Sequence, residues 1–114
     1  MNGIEIRQYV DRFGRNRFEE WFRSLEAGTR ARIGVSLVRP EQGNLSNAKG
    51  VGAGLFELRL DFGPGFRIYF GRDGDWLMIL LAGGTKKRQQ NDIEIAADLW
   101  KEYKSEKRKG NAAH

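Results

Sequence analysis

Thirty residues in the middle of the chain, Leu55–Gly84, constrain the fold more than any other stretch. They read LFELRLDFGPGFRIYFGRDGDWLMILLAGG. Three apolar segments are separated by a Gly-Pro-Gly turn and an Arg-Asp-Gly-Asp turn, the punctuation of an antiparallel meander. Phe56, Leu58 and Leu60 alternate with Glu57, Arg59 and Asp61, and Phe66, Ile68 and Phe70 alternate with Arg67 and Tyr69. A period of two makes Glu57, Arg59, Arg67 and Tyr69 candidates for the same sheet face. The third segment, Trp76–Ala82, is almost wholly apolar, which predicts an interior strand covered on both faces and ended by Gly83-Gly84.

The flanks read as helices around that sheet. Ile4 and Ile6 alternate with Glu5 and Arg7, with Tyr9 a further candidate, and predict a short first strand. Asn16 and Glu19 have capping-box spacing, and Phe18, Trp21, Phe22 and Leu25 then fall on one helical face, with Gly28 closing the helix. Thr29 is placed to cap a second helix whose stripe is Ala31, Val35 and Val38, flanked by Ile33 and Leu37, and which Pro40 stops. The short connection predicts an antiparallel helical hairpin. Residues 41–54 read as a Gly- and Asn-rich loop carrying Lys49. Asn91 and Glu94 repeat the capping spacing ahead of Ile93, Ala96, Ala97, Trp100 and Tyr103. A polar, basic tail over 106–114 is expected to fray. Strand, helix pair, three strands, helix is the order of an α+β domain, spanning 1–105 before the tail.

Composition narrows the chemistry. In 114 residues there is no cysteine, which removes disulfides and thiolate metal sites. The single histidine, His114, is the last residue, so neither a His-based metal centre nor a Ser-His-Asp triad is expected, and no cofactor is implied. No apolar run reaches the length of a membrane span and the N-terminus lacks a signal-type segment, so a cytoplasmic domain without a membrane partner is expected. A formal charge of +5 favours polyanionic partners. Arginines on one sheet face, followed by Lys86-Lys87-Arg88, suit phosphate because a guanidinium fork matches two phosphate oxygens.

Taken together, Gly43–Leu45, Lys49, Glu57–Arg59, Phe62–Phe70, Leu80–Lys86 and Gln89–Ile93 resemble the RelE/HigB superfamily, and within it the phage-derived addiction-module killer branch. The resemblance implies a RelE-like α+β fold: an N-terminal strand and helical hairpin packed on a twisted, mainly antiparallel sheet, with a C-terminal helix. It implies the toxin of a type II toxin–antitoxin pair, a ribosome-dependent, metal-independent mRNA endoribonuclease. Its implied partners are the ribosomal A site with its mRNA and a cognate helix-turn-helix antitoxin. Operator DNA is reached only through the antitoxin complex. By position, the resemblance assigns catalytic roles to Arg67, Arg59 and Lys86, with Lys87 or Arg88 in the basic region after the last strand and Tyr69 and Lys49 as further RNA contacts. Glu57 stands where some relatives carry a second basic residue.

Each assignment has an alternative. Arg59 and Arg67 are either transition-state stabilisers or outward strand residues paired with Glu57 or Asp61. Glu57 is either a general base or the salt-bridge partner that restrains Arg59. Lys86, whose ordinary pKa is about 10.4, suits a phosphate clamp better than proton transfer. Tyr69 either stacks on a base or fills the core edge. Two other functions fit the same scaffold: a non-nuclease toxin of ParE type that binds DNA gyrase, and a degenerate toxin kept as a complex partner.

Overall fold

The computed structural model describes residues 3–112; His114 lies outside them. The elements are β1 (Glu5–Gln8), α1 (Arg17–Arg23), α2 (Ala27–Ser36), α3 (Val38–Glu41), β2 (Ala48–Gly52), β3 (Leu55–Arg59), β4 (Phe66–Asp73), β5 (Leu77–Thr85), a 3-10 turn (Lys86–Arg88) and α4 (Gln89–Ala112). The sheet runs β1-β5-β4-β3-β2, with β1 parallel to β5 and the other pairs antiparallel. This is the α+β, RelE-like architecture expected from the sequence.

Alternation along the meander divides the apolar side chains into two cores. Leu58, Leu60, Phe66, Ile68, Phe70, Met78 and Leu80 meet Phe18 and Ile33 on the α1–α3 side. Leu55, Tyr69, Ile79, Leu81 and Ala82 meet Ala96 and Trp100 on the α4 side. Helices therefore cover both faces of β5, which explains its continuous apolar run.

The cap at Asn16 forms as its spacing predicts: its side-chain oxygen accepts from the Glu19 amide at 2.9 Å. The other helix boundaries differ from the sequence reading. α1 ends at Arg23 with Ser24 as its C-cap, and Gly28 lies inside α2. Glu26, not Thr29, occupies the N-cap of α2, without a side-chain cap bond. Pro40 does not stop a helix. It is buried in the first turn of α3, where an amide has no intrahelical acceptor to lose. Ile33 is the fully buried position of α2, whereas Val35 is 72% exposed and Val38 43%. α1 packs on β5, and its Phe18 shares one core with Ile33 of α2.

Three further differences lie near the sheet. Residues 48–52, read as loop, form the edge strand β2, joined to β3 through Ala53 (φ 58) and Gly54 (φ 77). That left-handed pair is the geometry of a tight hairpin, but Ala-Gly is a weaker signal for it than Asn-Gly. β5 continues through Gly83-Gly84 to Thr85. Glycine is required there by close approach: a Cβ at 83 would enter the Trp21 ring, and one at 84 would enter the Asp92 carboxyl. Finally, α4 begins at Gln89, places Asn91 in its first turn, and remains helical through Ala112 instead of fraying from 106.

Candidate nucleic-acid interface on the face under α4

Strand register assembles the candidate residues into two rows. Lys49 pairs with Glu57, and Glu57 pairs with Tyr69. Two residues on, Arg59 pairs with Arg67, which pairs with Gly84. Directly opposed residues share a face and so do residues two apart, so both rows point toward α4.

Glu57 is the hub of this arrangement. It is completely buried, and its Oε1 accepts from Arg59 Nε at 2.8 Å while lying 3.6 Å from Arg67 Nε. Its Oε2 accepts from Gln89 Nε2 at 2.5 Å, so the first residue of α4 closes over the carboxylate. A buried carboxylate is tolerable only with such partners, and two guanidiniums and an amide provide them. Glu57 is thus the salt-bridge partner that restrains Arg59, and it is shared with a second arginine.

The cations differ in access. The Arg59 side chain is 45% exposed and borders a notch of about 260 Å³ with Lys49, Asn47 and Asp61. The Arg67 side chain is only 11% exposed, and its Nη1 donates to the Phe66 carbonyl at 3.1 Å. Lys86, Lys87 and Arg88 are exposed on the 3-10 turn. The Lys86 amide donates to the Gly65 carbonyl at 2.8 Å, which ties that turn to the Gly-Pro-Gly corner beside Arg67. Tyr69 is wholly buried and presents no ring face for stacking in this conformation. Burial above all, then the charges of Glu57 and Asp92, push its phenol pKa up, so it remains protonated at neutral pH.

Two residues that the sequence reading left without a role belong to this cluster. Gln89 bonds Glu57, and Asp92 is buried with its Oδ2 unpartnered. Burial raises the Asp92 pKa, against smaller opposing effects of Asn91 and Arg88. Both lie in the Gln-Gln-Asn-Asp-Ile run after the basic turn, but only the docking of α4 brings them to the sheet. Among the described residues, no group of three or more His, Cys, Asp or Glu could hold a metal ion, and no helix is long and apolar enough to cross a membrane.

The strand order and the covered cationic face define a RelE-like α+β protein. The chain belongs to the family described as phage derived protein Gp49-like (DUF891), a family of RelE/toxin-like proteins, which matches residues 20–101. That span contains every candidate residue above. The chain is also 38% identical over 86 residues to an uncharacterized protein of Haemophilus influenzae (strain ATCC 51907 / DSM 11121 / KW20 / Rd), covering 75% of this chain and 87% of that protein. No solved structure matches it.

Proposed function

We propose that the chain is the toxin of a type II toxin–antitoxin system, of the phage-derived RelE/HigB killer branch, and that it stops translation by cutting mRNA on the ribosome. The observation that carries this reading is the Arg59–Arg67 cross-strand pair held around one buried carboxylate, with a basic turn beside it. Metal-independent RNA cleavage proceeds by attack of the 2′-hydroxyl on the adjacent phosphate, with loss of the 5′-oxygen. Its transition state concentrates negative charge on the phosphate, and pre-placed guanidiniums stabilise that charge without reorganisation. Arg59 supplies the accessible guanidinium. Arg67 adds positive charge from beneath and, with Glu57, fixes the Arg59 head. Lys86, Lys87 and Arg88 clamp the RNA backbone. Glu57 already accepts from three donor groups or lies beside them, which favours positioning over base catalysis. A helix-turn-helix antitoxin neutralises the toxin in the cytoplasm, and operator DNA is bound through that complex.

The burial of Arg67 and Tyr69 favours a second reading, a non-nuclease toxin of ParE type or a degenerate complex partner. Induced expression separates the two. The expected result is growth arrest with new mRNA ends inside translated codons, relieved by Arg59→Ala and by co-expression of an adjacent helix-turn-helix gene. Continued translation with accumulating DNA breaks, and full toxicity of both Arg59→Ala and Arg67→Ala, would overturn the nuclease reading. Naked RNA should be cut weakly or not at all, so the ribosome must be present in any assay in vitro.

A further inference from the structure

A cleft of about 330 Å³ opens beside the Arg59–Arg67 row, at the end of β5. β1 pairs only with Leu77–Leu80, so the Ala82–Thr85 segment has β4 on one side and no strand on the other. Its two glycines carry no side chain into this space. Trp21 of α1 lies on Gly83, and the Asp92 carboxyl of α4 lies on Gly84. Arg17 and Arg88 stand on the α1 and α4 sides of the cleft, and neither has an ion-pair partner among the described residues. Glu20, also on the rim, is already taken by Arg15 at 2.7 Å.

Asp92 is one of four side chains with a buried polar atom lacking a hydrogen-bond partner among the described residues, beside Arg67, Tyr69 and Arg72, and of these four it alone lines the cleft. It is 7% exposed; Oδ2 has no hydrogen-bond partner, and Oδ1 has only a 3.5 Å contact from Asn91 Nδ2. A buried carboxyl without partners is costly, and no strong hydrogen bond opposes its turning from Gly84 into the cleft. Two adjacent acceptor oxygens match two adjacent donors. Among the four RNA bases, only guanine presents an N–H and an amino group side by side on its Watson–Crick edge. Adenine and cytosine place an acceptor beside their amino group, and uracil has one N–H between two carbonyls. The volume suits one nucleotide, Trp21 offers an aromatic wall, and two unpaired guanidiniums suit a phosphate.

We propose that this cleft binds a guanine nucleotide, its base edge on Asp92, its ring against Trp21 and its phosphate on Arg17 and Arg88. As a base-reading subsite next to the Arg59–Arg67 row it rests on the RNA-cutting reading for its role, but not for its existence. Gly84, which seats Asp92, is the cross-strand partner of Arg67, so cleft and row share a strand pair.

The test is a ¹⁵N NMR titration of the full chain with guanosine, adenosine, cytidine and uridine 5′-monophosphates and with inorganic phosphate. The guanine nucleotide should move the amides of Gly83, Gly84 and Thr85 and the Trp21 indole N–H. It should bind about tenfold or more tightly than the others, the discrimination of one two-point base contact. Asp92→Asn should erase that preference and leave phosphate binding intact, and Arg88→Ala should weaken all ligands alike. Inosine 5′-monophosphate, which lacks the amino donor, gives a check on the unaltered protein and should bind about tenfold more weakly than its guanine counterpart. Equal binding of all five ligands, or shifts confined to Lys49 and Arg59, would overturn the proposal. So would β5-edge shifts caused by an oligoglutamate peptide and by no nucleotide, which would mark a peptide groove. Ribosomal mRNA cutting without guanine preference removes the base-reading role alone; guanine binding without mRNA cutting removes the mRNA-cutting reading alone.

Discussion

At the scale of single residues, Glu57 decides how the cationic face is built. Arg59 and Arg67 repel one another, and a shared buried carboxylate converts that repulsion into a fixed geometry. Glu57→Ala leaves Arg67 buried without its counter-charge and should destabilise the fold by about 3–5 kcal/mol, read from urea unfolding. Glu57→Gln retains an acceptor and should cost clearly less. Equal, small losses for both variants would mean that the pairing is incidental. The face of each of these residues was legible in the sequence, because strand alternation is a local property. Their exposure was not. Arg67 is covered by α4 and the Gly-Pro-Gly corner, and Gln89 reaches Glu57 across a sequence separation of 32 residues.

At the scale of elements, α4 is bolted to the sheet at both ends. Gln89 holds its start to Glu57, while Tyr103 and Lys107 both donate to Asp73 at 2.5 Å and Tyr9 donates to Glu102. The tail, polar and basic by composition, has a tertiary anchor: Asp73, at the end of β4, accepts from Lys107 within it and from Tyr103 just before it. The Lys107 hydrogen bond, then that of Tyr103, holds the Asp73 pKa below its ordinary 3.8. A depressed carboxylate pKa stabilises the fold above the ordinary value, and that contribution is lost as pH falls through the lowered folded value. Amide exchange over 100–112 should therefore speed up on acidification below about pH 4 relative to the rest of α4, and Asp73→Asn should show the faster exchange already at neutral pH. The α1 cap gives a second test. Asn16→Ala should cost about 1 kcal/mol in thermal or urea unfolding, because the Glu19 amide loses its acceptor.

For the whole molecule, the proposed RNA contacts are Arg59 and Lys49 at the notch and Lys86, Lys87 and Arg88 on the basic turn. Binding of a single-stranded RNA oligomer, followed by fluorescence anisotropy, should weaken steeply with salt. Each phosphate contact removed from Lys86, Lys87 or Arg88 should reduce the log–log slope by about 0.7. If replacing the terminal Lys107-Arg108-Lys109 lowers the slope equally, binding is spread over the surface and the basic turn has no special place.

Local spacing alone determined the meander, the α1 cap and the two faces of each central strand. Each follows from a period or a turn within a few residues. Long-range packing decided the rest. β2 exists because β3 offers it an edge, and Gly83-Gly84 stays in strand because Trp21 and Asp92 press on it from opposite sides. Pro40 sits in a helix because its missing donor falls where none is needed. The site's depth was also beyond local reading: burial is a property of what covers a residue, and here the cover arrives from a helix thirty residues downstream.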